Sequence, residues 1–332
     1  MAQIKIQYLS NSRHISQILT GFHRLSDKYS VSITGQSAPG PALVRATYQG
    51  MQLIYDTHDG YFDVAYMTKL LQECDLYFQR SCDPEKNRLL FGELSQKIHP
   101  LGFNYHVTYR GNPAEKSRSF LQAFKQLRRF CPPEYFEGTP NSKESASRIL
   151  FYTRLWPRDP SLPEHVNQER EQINETRIRL LRLLKARFGK RFDGGVEDCP
   201  LARSLCPELL LPWRKTNPRA YIRQLHRSHI CIGSVGLHGS IGWKTGEYVA
   251  AAKAIVLEHF SCTLPGSFSE GENYLSFQSP EECLAAVERL IQDPKLCRKM
   301  QENNYRYYQN YLNPEALIQN TLCIADQAAS RR

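Results

Sequence analysis

The hydrophobic pattern of this chain switches repeatedly between two periods. Residues 4–9 alternate as a strand does, whereas Ile18, Leu19, Phe22 and Leu25 recur at helical spacing. Residues 29–34, 43–48 and 51–55 read as further strands, with Gly50 turning between the last two. A helix over 65–74, a short strand over 75–79 and an irregular strand region over 97–107 complete the first half. The second half repeats the pattern. Strands are expected over 148–152, 230–233 and 254–258, and Gly194-Gly195 reads as a turn. Helices are expected over 172–188, 218–226, 247–252, 280–291 and 295–311. Such alternation predicts an α/β fold in two halves, each a largely parallel sheet covered on both faces. The polar, Pro-rich stretch 132–147 reads as the linker between them.

A chain of 332 residues has enough apolar material for two cores. Its 43 Lys and Arg against 33 Asp and Glu give a net charge of +10. That balance suits an anionic partner: nucleic acid, a membrane surface or a phosphorylated small molecule. No helix-turn-helix, RNA-recognition or zinc-finger pattern accompanies it, so nucleic acid is not the expected partner. The ten cysteines form no CxxC pair and no HExxH occurs, so a zinc site is not expected. Nothing reads as a signal peptide or a membrane span, so the expectation is a cytoplasmic protein with reduced thiols.

The most informative stretch is 233–258, GSVGLHGSIGWKTGEYVAAAKAIVLE. A strand ends in a loop with glycines at 233, 236, 239, 242 and 246, and a helix is expected to begin near Glu247. Backbone N–H groups at such a junction suit a phosphate, and Gly239, Ser240, Ile241 and Gly242 are the candidate cradle. Lys244 adds a positive charge, and Ser234 and Ser240 can donate hydrogen bonds. The spacing matches neither GxGxxG nor GxxxxGK[ST], which disfavours a dinucleotide site and a P-loop.

Residues 247–256 (EYVAAAKAIV) resemble the E-A-M-A-x-G-x-P-V-V segment of retaining glycosyltransferases with two Rossmann-like domains, the group 1 or family 4-like enzymes of the GT-B type. Residues 271–275 (GENYL) resemble their G-x-N-G-x-L turn, and residues 279–294 the helix that follows with its Asp-Pro stop. The likeness runs in register over about 230–312, and Thr153-Arg154-Leu155 resembles the turn that opens the donor domain. It implies two Rossmann-like domains facing across a cleft: an acceptor-side domain over 1–140 and a donor domain over 146–312. Residues 313–332 would form a helix crossing back to the first domain.

The resemblance also implies roles. Glu247 would hold the donor ribose hydroxyls, because a carboxylate accepts two vicinal hydroxyls well. Arg154 would bind the diphosphate, with Lys244 as the second cation in place of a lysine this sequence lacks. Fixed cations stabilise the charge that builds as the glycosidic bond breaks. Arg214 lies in the region of the base-binding loop. The first Glu of the family's E-x7-E pair would fall at Gly239 and is absent; His238 beside it is the substitute candidate. In the first half, Asp56-Thr57-His58-Asp59-Gly60 follows a strand, where open α/β sheets hold ligands. His58 or Asp59 could face the acceptor, and would be the base if transfer inverted.

The activity implied is transfer of a sugar from a nucleotide sugar to a hydroxyl on a glycan, a lipid-linked acceptor or a small molecule. It would proceed with retention and without a metal or other cofactor. A silent nucleotide-sugar or glycan-binding module is the alternative. Residues 143–227 hold 18 Lys and Arg against 10 Asp and Glu, most of the excess charge. It suits a diphosphate first and peripheral contact with an anionic membrane second.

Overall fold

The structure is a computed structural model, described over residues 1–35, 39–115, 130–141 and 148–331. The chain divides into two compact units. One comprises Met1–Tyr135, Ser261–Ser267 and Tyr307–Arg332, the other Phe136–Phe260 and Phe268–Arg306.

The first unit is built on six strands: β1 (Gln3–Tyr8), β2 (Ser30–Gly35), β3 (Leu43–Tyr48), β4 (Met51–Asp56), β5 (Leu76–Gln79) and β6 (Ile98–Pro100). Their order is β2-β1-β3-β4-β5-β6. The sheet is parallel except at β3, which runs antiparallel to both β1 and β4. The hairpin turn explains this: Gln49 and Gly50 take φ of 49° and 79°, the left-handed pair that suits a tight two-residue connection. Only Ile98–Pro100 of the expected 97–107 strand pairs with the sheet.

Helix Pro314–Ala329 belongs to this unit. Its Leu317, Ile318 and Leu322 share a core with Ile4, Ile6, Ile18 and Phe22. Gly21 of helix Ser16–Arg24 lets it approach, since a Cβ there would lie 2.2 Å from the Pro314 carbonyl oxygen. Thr321 and Tyr55 of β4 join hydroxyls at 2.8 Å.

The second unit holds β7 (Ile149–Thr153), β8 (Phe192–Val196), β9 (Ile230–Gly233), β10 (Ala254–Glu258) and β11 (Tyr274–Phe277), all parallel, in the order β11-β10-β9-β7-β8. Every residue of β7 and β9 is buried, as expected when helices cover both faces. The chain leaves β7 toward β8 on one side and returns to β9 on the other. The carboxyl ends of β7 and β9 therefore form a topological switch point, where open α/β sheets bind ligands.

Three readings of the second half need correction. Gly194 and Gly195 lie inside β8 rather than in a turn. A Cβ on Gly195 would come within 2.4 Å of the Leu209 carbonyl oxygen, so close packing rather than turning requires glycine there. The basic helix starts earlier, spanning Glu164–Phe188. Residues 136–141 are not a free linker: Gly138 N–H donates to Ala250 O at 3.0 Å, and Asn141 Nδ2 donates to Ser228 O at 3.0 Å. The remainder of that stretch, 142–147, lies outside the described residues.

The ten cysteines form no disulfide among the described residues. Among the described residues no helix is long and apolar enough to cross a membrane.

Candidate active site

The Gly-rich stretch after β9 makes a small hairpin and then a helix. Val235 bridges Ile241, and Gly236 N–H donates to Ser240 O at 2.8 Å. His238 and Gly239 turn the tip with φ of 60° and 64° and are exposed. Ser240 and Ile241 are buried in the return strand. Gly242 precedes helix Trp243–Ala250, whose first turn has no side-chain cap. The helix thus begins four residues before Glu247, which corrects the expected start. Glu247 is buried on the second turn rather than being a solvated residue at the helix end.

That shift pairs Glu247 with Lys244. Residues three apart on a helix share a face, and Tyr221 of helix Pro218–Arg227 packs against both. Tyr221 Oη donates to Glu247 Oε2 at 2.5 Å, and Lys244 Nζ lies 4.1 Å from the centre of the Tyr221 ring. Burial pushes the Lys244 ammonium below the usual lysine range; Glu247 and Glu197 oppose this, and the positive charge of Arg154 adds to it. Burial and the Glu247 charge hold the Tyr221 hydroxyl well above the ordinary tyrosine value.

Arg154 follows the carboxyl end of β7. Its side chain is exposed, and its guanidinium carbon lies 4.1 Å from the centre of the Trp156 ring. Two cations that repel each other in this way suit an anion. Beneath them the backbone is tied by Arg177, which is 6% exposed. Glu258, at the end of β10, accepts the Val235 N–H at 2.9 Å. Arg214 is exposed on the short helix Trp213–Thr216. Its neighbour Lys215 reaches Asp193 Oδ1 at 2.6 Å, and Tyr152 Oη donates to the same oxygen at 3.0 Å. The Tyr152 and Tyr221 rings lie 6.0 Å apart, so aromatic packing sets the Lys215–Asp193–Tyr152 group beside the Tyr221–Glu247 pair.

His238 does not turn toward this cluster's carboxylate. Its N–H donates to Glu169 Oε1, and its Nδ1 is 3.7 Å from Glu169 Oε2. Helix Glu164–Phe188 thereby brings a carboxylate to the turn where Gly239 carries none.

In the first unit, His58 is committed on both ring nitrogens. The Ala42 N–H donates to Nε2 at 2.9 Å, so Nε2 is unprotonated, and Nδ1–H donates to Asp56 Oδ1 at 2.7 Å. Its ring stacks on Phe62 at 3.9 Å. Tyr77 Oη donates to the other Asp56 oxygen at 2.8 Å. The lone pair that His58 would use as a base already accepts this backbone hydrogen bond. Asp59 is exposed and ion-paired with the buried guanidinium of Arg80.

Tyr221, Tyr152, Asp193, Arg177 and Glu258 escaped the sequence reading. Arg177 alone carried a legible signal. It stands four and seven residues before Leu181 and Leu184, on the apolar stripe of its helix, where a charge needs partners.

Residues 179–322 match the family model described as glycosyl transferase-like. Over these residues, fewer than half of the chain, the sequence is similar to that family. The matched segment contains the hairpin, Tyr221, Lys244 and Glu247; Arg177 lies just before it and Arg154 further upstream. The resemblance to group 1 glycosyltransferases read from residues 230–312 therefore holds. No curated protein matches the chain significantly by sequence.

Among solved structures, the chain is similar to Anabaena HepE in complex with UDP, at 11% identity over 99% of this chain and 100% of that one, TM-score 0.40. It is also similar to sucrose-phosphate synthase from Thermosynechococcus elongatus, at 12% identity over 98% and 99%, TM-score 0.39. A third is the C-terminal domain of a group 1 glycosyl transferase from Francisella tularensis, at 14% identity over 53% and 95%, TM-score 0.37. At these identities and scores the two sheets of the chain itself, not its neighbours, carry the description of the fold.

Proposed function

We propose that the protein transfers a sugar from a nucleotide sugar to a hydroxyl acceptor, with retention and without a metal. The observation that carries this reading is the cluster of Glu247, Tyr221 and Lys244 beside the hairpin that follows β9. Glu247 accepts hydroxyls of the donor. Arg154 and Lys244 face its diphosphate, whose negative charge grows as the glycosidic bond breaks. The departing phosphate oxygen takes the acceptor proton, so no side chain needs to act as a strong base. Orientation and electrostatics are then the protein's contribution.

The test is a panel of labelled nucleotide sugars with chelator present, followed by assignment of the product anomer. Retained configuration at undiminished rate is expected; an inverted product, or loss of turnover with chelator, would overturn the corresponding part. A second reading, a silent nucleotide-sugar-binding module, is favoured by Gly239 standing where a carboxylate is missing. Tight nucleoside diphosphate binding with neither hydrolysis nor transfer would select it.

A lipid-linked acceptor would bring the chain to an anionic membrane. Much of the basic excess is already matched: Arg179, Arg182 and Arg187 pair with Glu281, Glu208 and Glu288. Arg219, Arg223 and Arg227 are exposed at four-residue spacing on helix Pro218–Arg227 and are the stripe available to lipid. Binding to anionic vesicles that vanishes in a triple Gln variant is expected; equal binding would remove this stripe from the reading.

A further inference from the structure

The site described above has a buried charge that is not one of its proposed ligand-facing cations yet holds two of its loops. Arg177 lies in helix Glu164–Phe188 with its guanidinium buried at the carboxyl ends of β7 and β9. Nη1 donates to the Arg154 carbonyl oxygen at 2.8 Å, Nη2 to the Val235 carbonyl oxygen at 3.0 Å, and Nε to Ser234 Oγ at 3.1 Å. Three donors of a rigid planar fork thus reach three acceptors on two loops. A lysine, with its single nitrogen on a flexible stem, cannot reproduce that geometry.

Glu258 completes the arrangement. It accepts the Val235 N–H at 2.9 Å, so the two residues grip the N–H and the C=O of Val235. Each is perturbed by the other and by burial. Burial lowers Arg177 to about 10 against the attraction of Glu258, and burial raises the Glu258 carboxyl against the Val235 N–H and Arg177. The three acceptors of Arg177 are all neutral, so no carboxylate is hydrogen-bonded to the guanidinium to cancel its charge. Because Arg177 occupies a lone pair of Ser234 Oγ, the Ser234 hydroxyl proton is left to donate elsewhere.

We infer that Arg177 is a positioning residue for the diphosphate: it locks the backbone of Arg154 to the start of the Gly-rich hairpin and orients Ser234 to donate to the anion. This rests on the donor-site reading above and adds a residue outside the matched family segment. The consequence is specific to phosphate. Losing the fork should loosen the phosphate-facing groups together and leave contacts to the nucleoside unaffected.

The experiment measures binding of UDP, GDP and ADP and of the matching nucleosides by calorimetry, for wild type, Arg177→Lys and Glu258→Gln. For whichever diphosphate binds, Arg177→Lys should weaken it about tenfold or more, as expected for loss of charge-assisted hydrogen bonds. Nucleoside affinity should stay near wild type. Glu258→Gln keeps an acceptor for Val235 and should show a smaller loss of the same selectivity. Unchanged diphosphate affinity in Arg177→Lys overturns the inference alone, as does an equal loss for nucleoside and diphosphate, which marks a purely structural role. No diphosphate binding by wild type overturns the donor-site reading and the inference with it. If Arg177→Lys does not fold, Glu258→Gln with Ser234→Ala carries the test, and unaltered selectivity in both overturns the inference.

Discussion

Two loops in this molecule follow buried strands, and they use their polar groups in opposite ways. After β4, the loop of Asp56, Thr57 and His58 turns inward. Both oxygens of Asp56, both ring nitrogens of His58 and the Thr57 hydroxyl have partners inside the first unit. After β9, the backbone is gripped from below by Arg177 and Glu258. The cations beside it, Arg154 and Lys244, rest on the faces of Trp156 and Tyr221 and form no ion pair among the described residues. A cation on an aromatic face gains about 0.5–1 kcal/mol at an exposed site such as Arg154 and about 2 kcal/mol when desolvated, as Lys244 is, and in both cases its N–H donors stay available to a phosphate. The closed network contributes stability; the open one retains capacity for an anion. Position at a strand's carboxyl end therefore does not by itself mark a site. What marks it is whether the charges there are already satisfied.

The strongest way to break this contrast is at Glu247. Glu247→Gln keeps an acceptor for Tyr221 Oη but removes the charge, and turnover should fall about 10²-fold, as should that of Arg154→Ala. Near-normal turnover in both variants would falsify the donor-site assignment. His58 should behave differently. His58→Ala leaves the Ala42 N–H without its acceptor and removes one of the hydrogen bonds to Asp56, and should cost about 1–3 kcal/mol of stability. Transfer per folded molecule should hardly change. A variant that keeps its melting temperature but loses turnover would restore His58 as a chemical group.

The smallest effect concerns pH. Burial depresses the Lys244 ammonium, so its charge is present below that lowered value and is lost as pH rises through it. Diphosphate affinity should fall at lower pH than an ordinary lysine would dictate. In Lys244→Arg, which keeps its charge, binding should persist to higher pH. Coincident pH profiles would mean that Lys244 does not face the ligand.

Much of the second unit was legible because its signals are local. Buried strands such as Ile230–Gly233 are short apolar runs, and the glycines after it announce a tight junction. Glu247 and Lys244 could be named from the same stretch. Their partner Tyr221 could not, since it lies 26 residues from Glu247 along the chain and sits on a helix whose pattern says only that one face is buried. The partners of His58 were illegible for the same reason. An Asp-Thr-His-Asp-Gly run looks like chemistry, but the Ala42 N–H that occupies Nε2 comes from 16 residues upstream.

Period and turn residues were enough to establish the α/β character of both halves, most of their strands and the glycine-rich loop after β9, because each depends on neighbours within a few residues; β8 and β11 escaped them. Whether a charge is neutralised depends on groups distant in the chain. The placing of β3 beside β1, the return of Pro314–Ala329 to the first unit and the fork of Arg177 all arise from such contacts. Folding alone brings those groups within the few ångströms over which hydrogen bonds act.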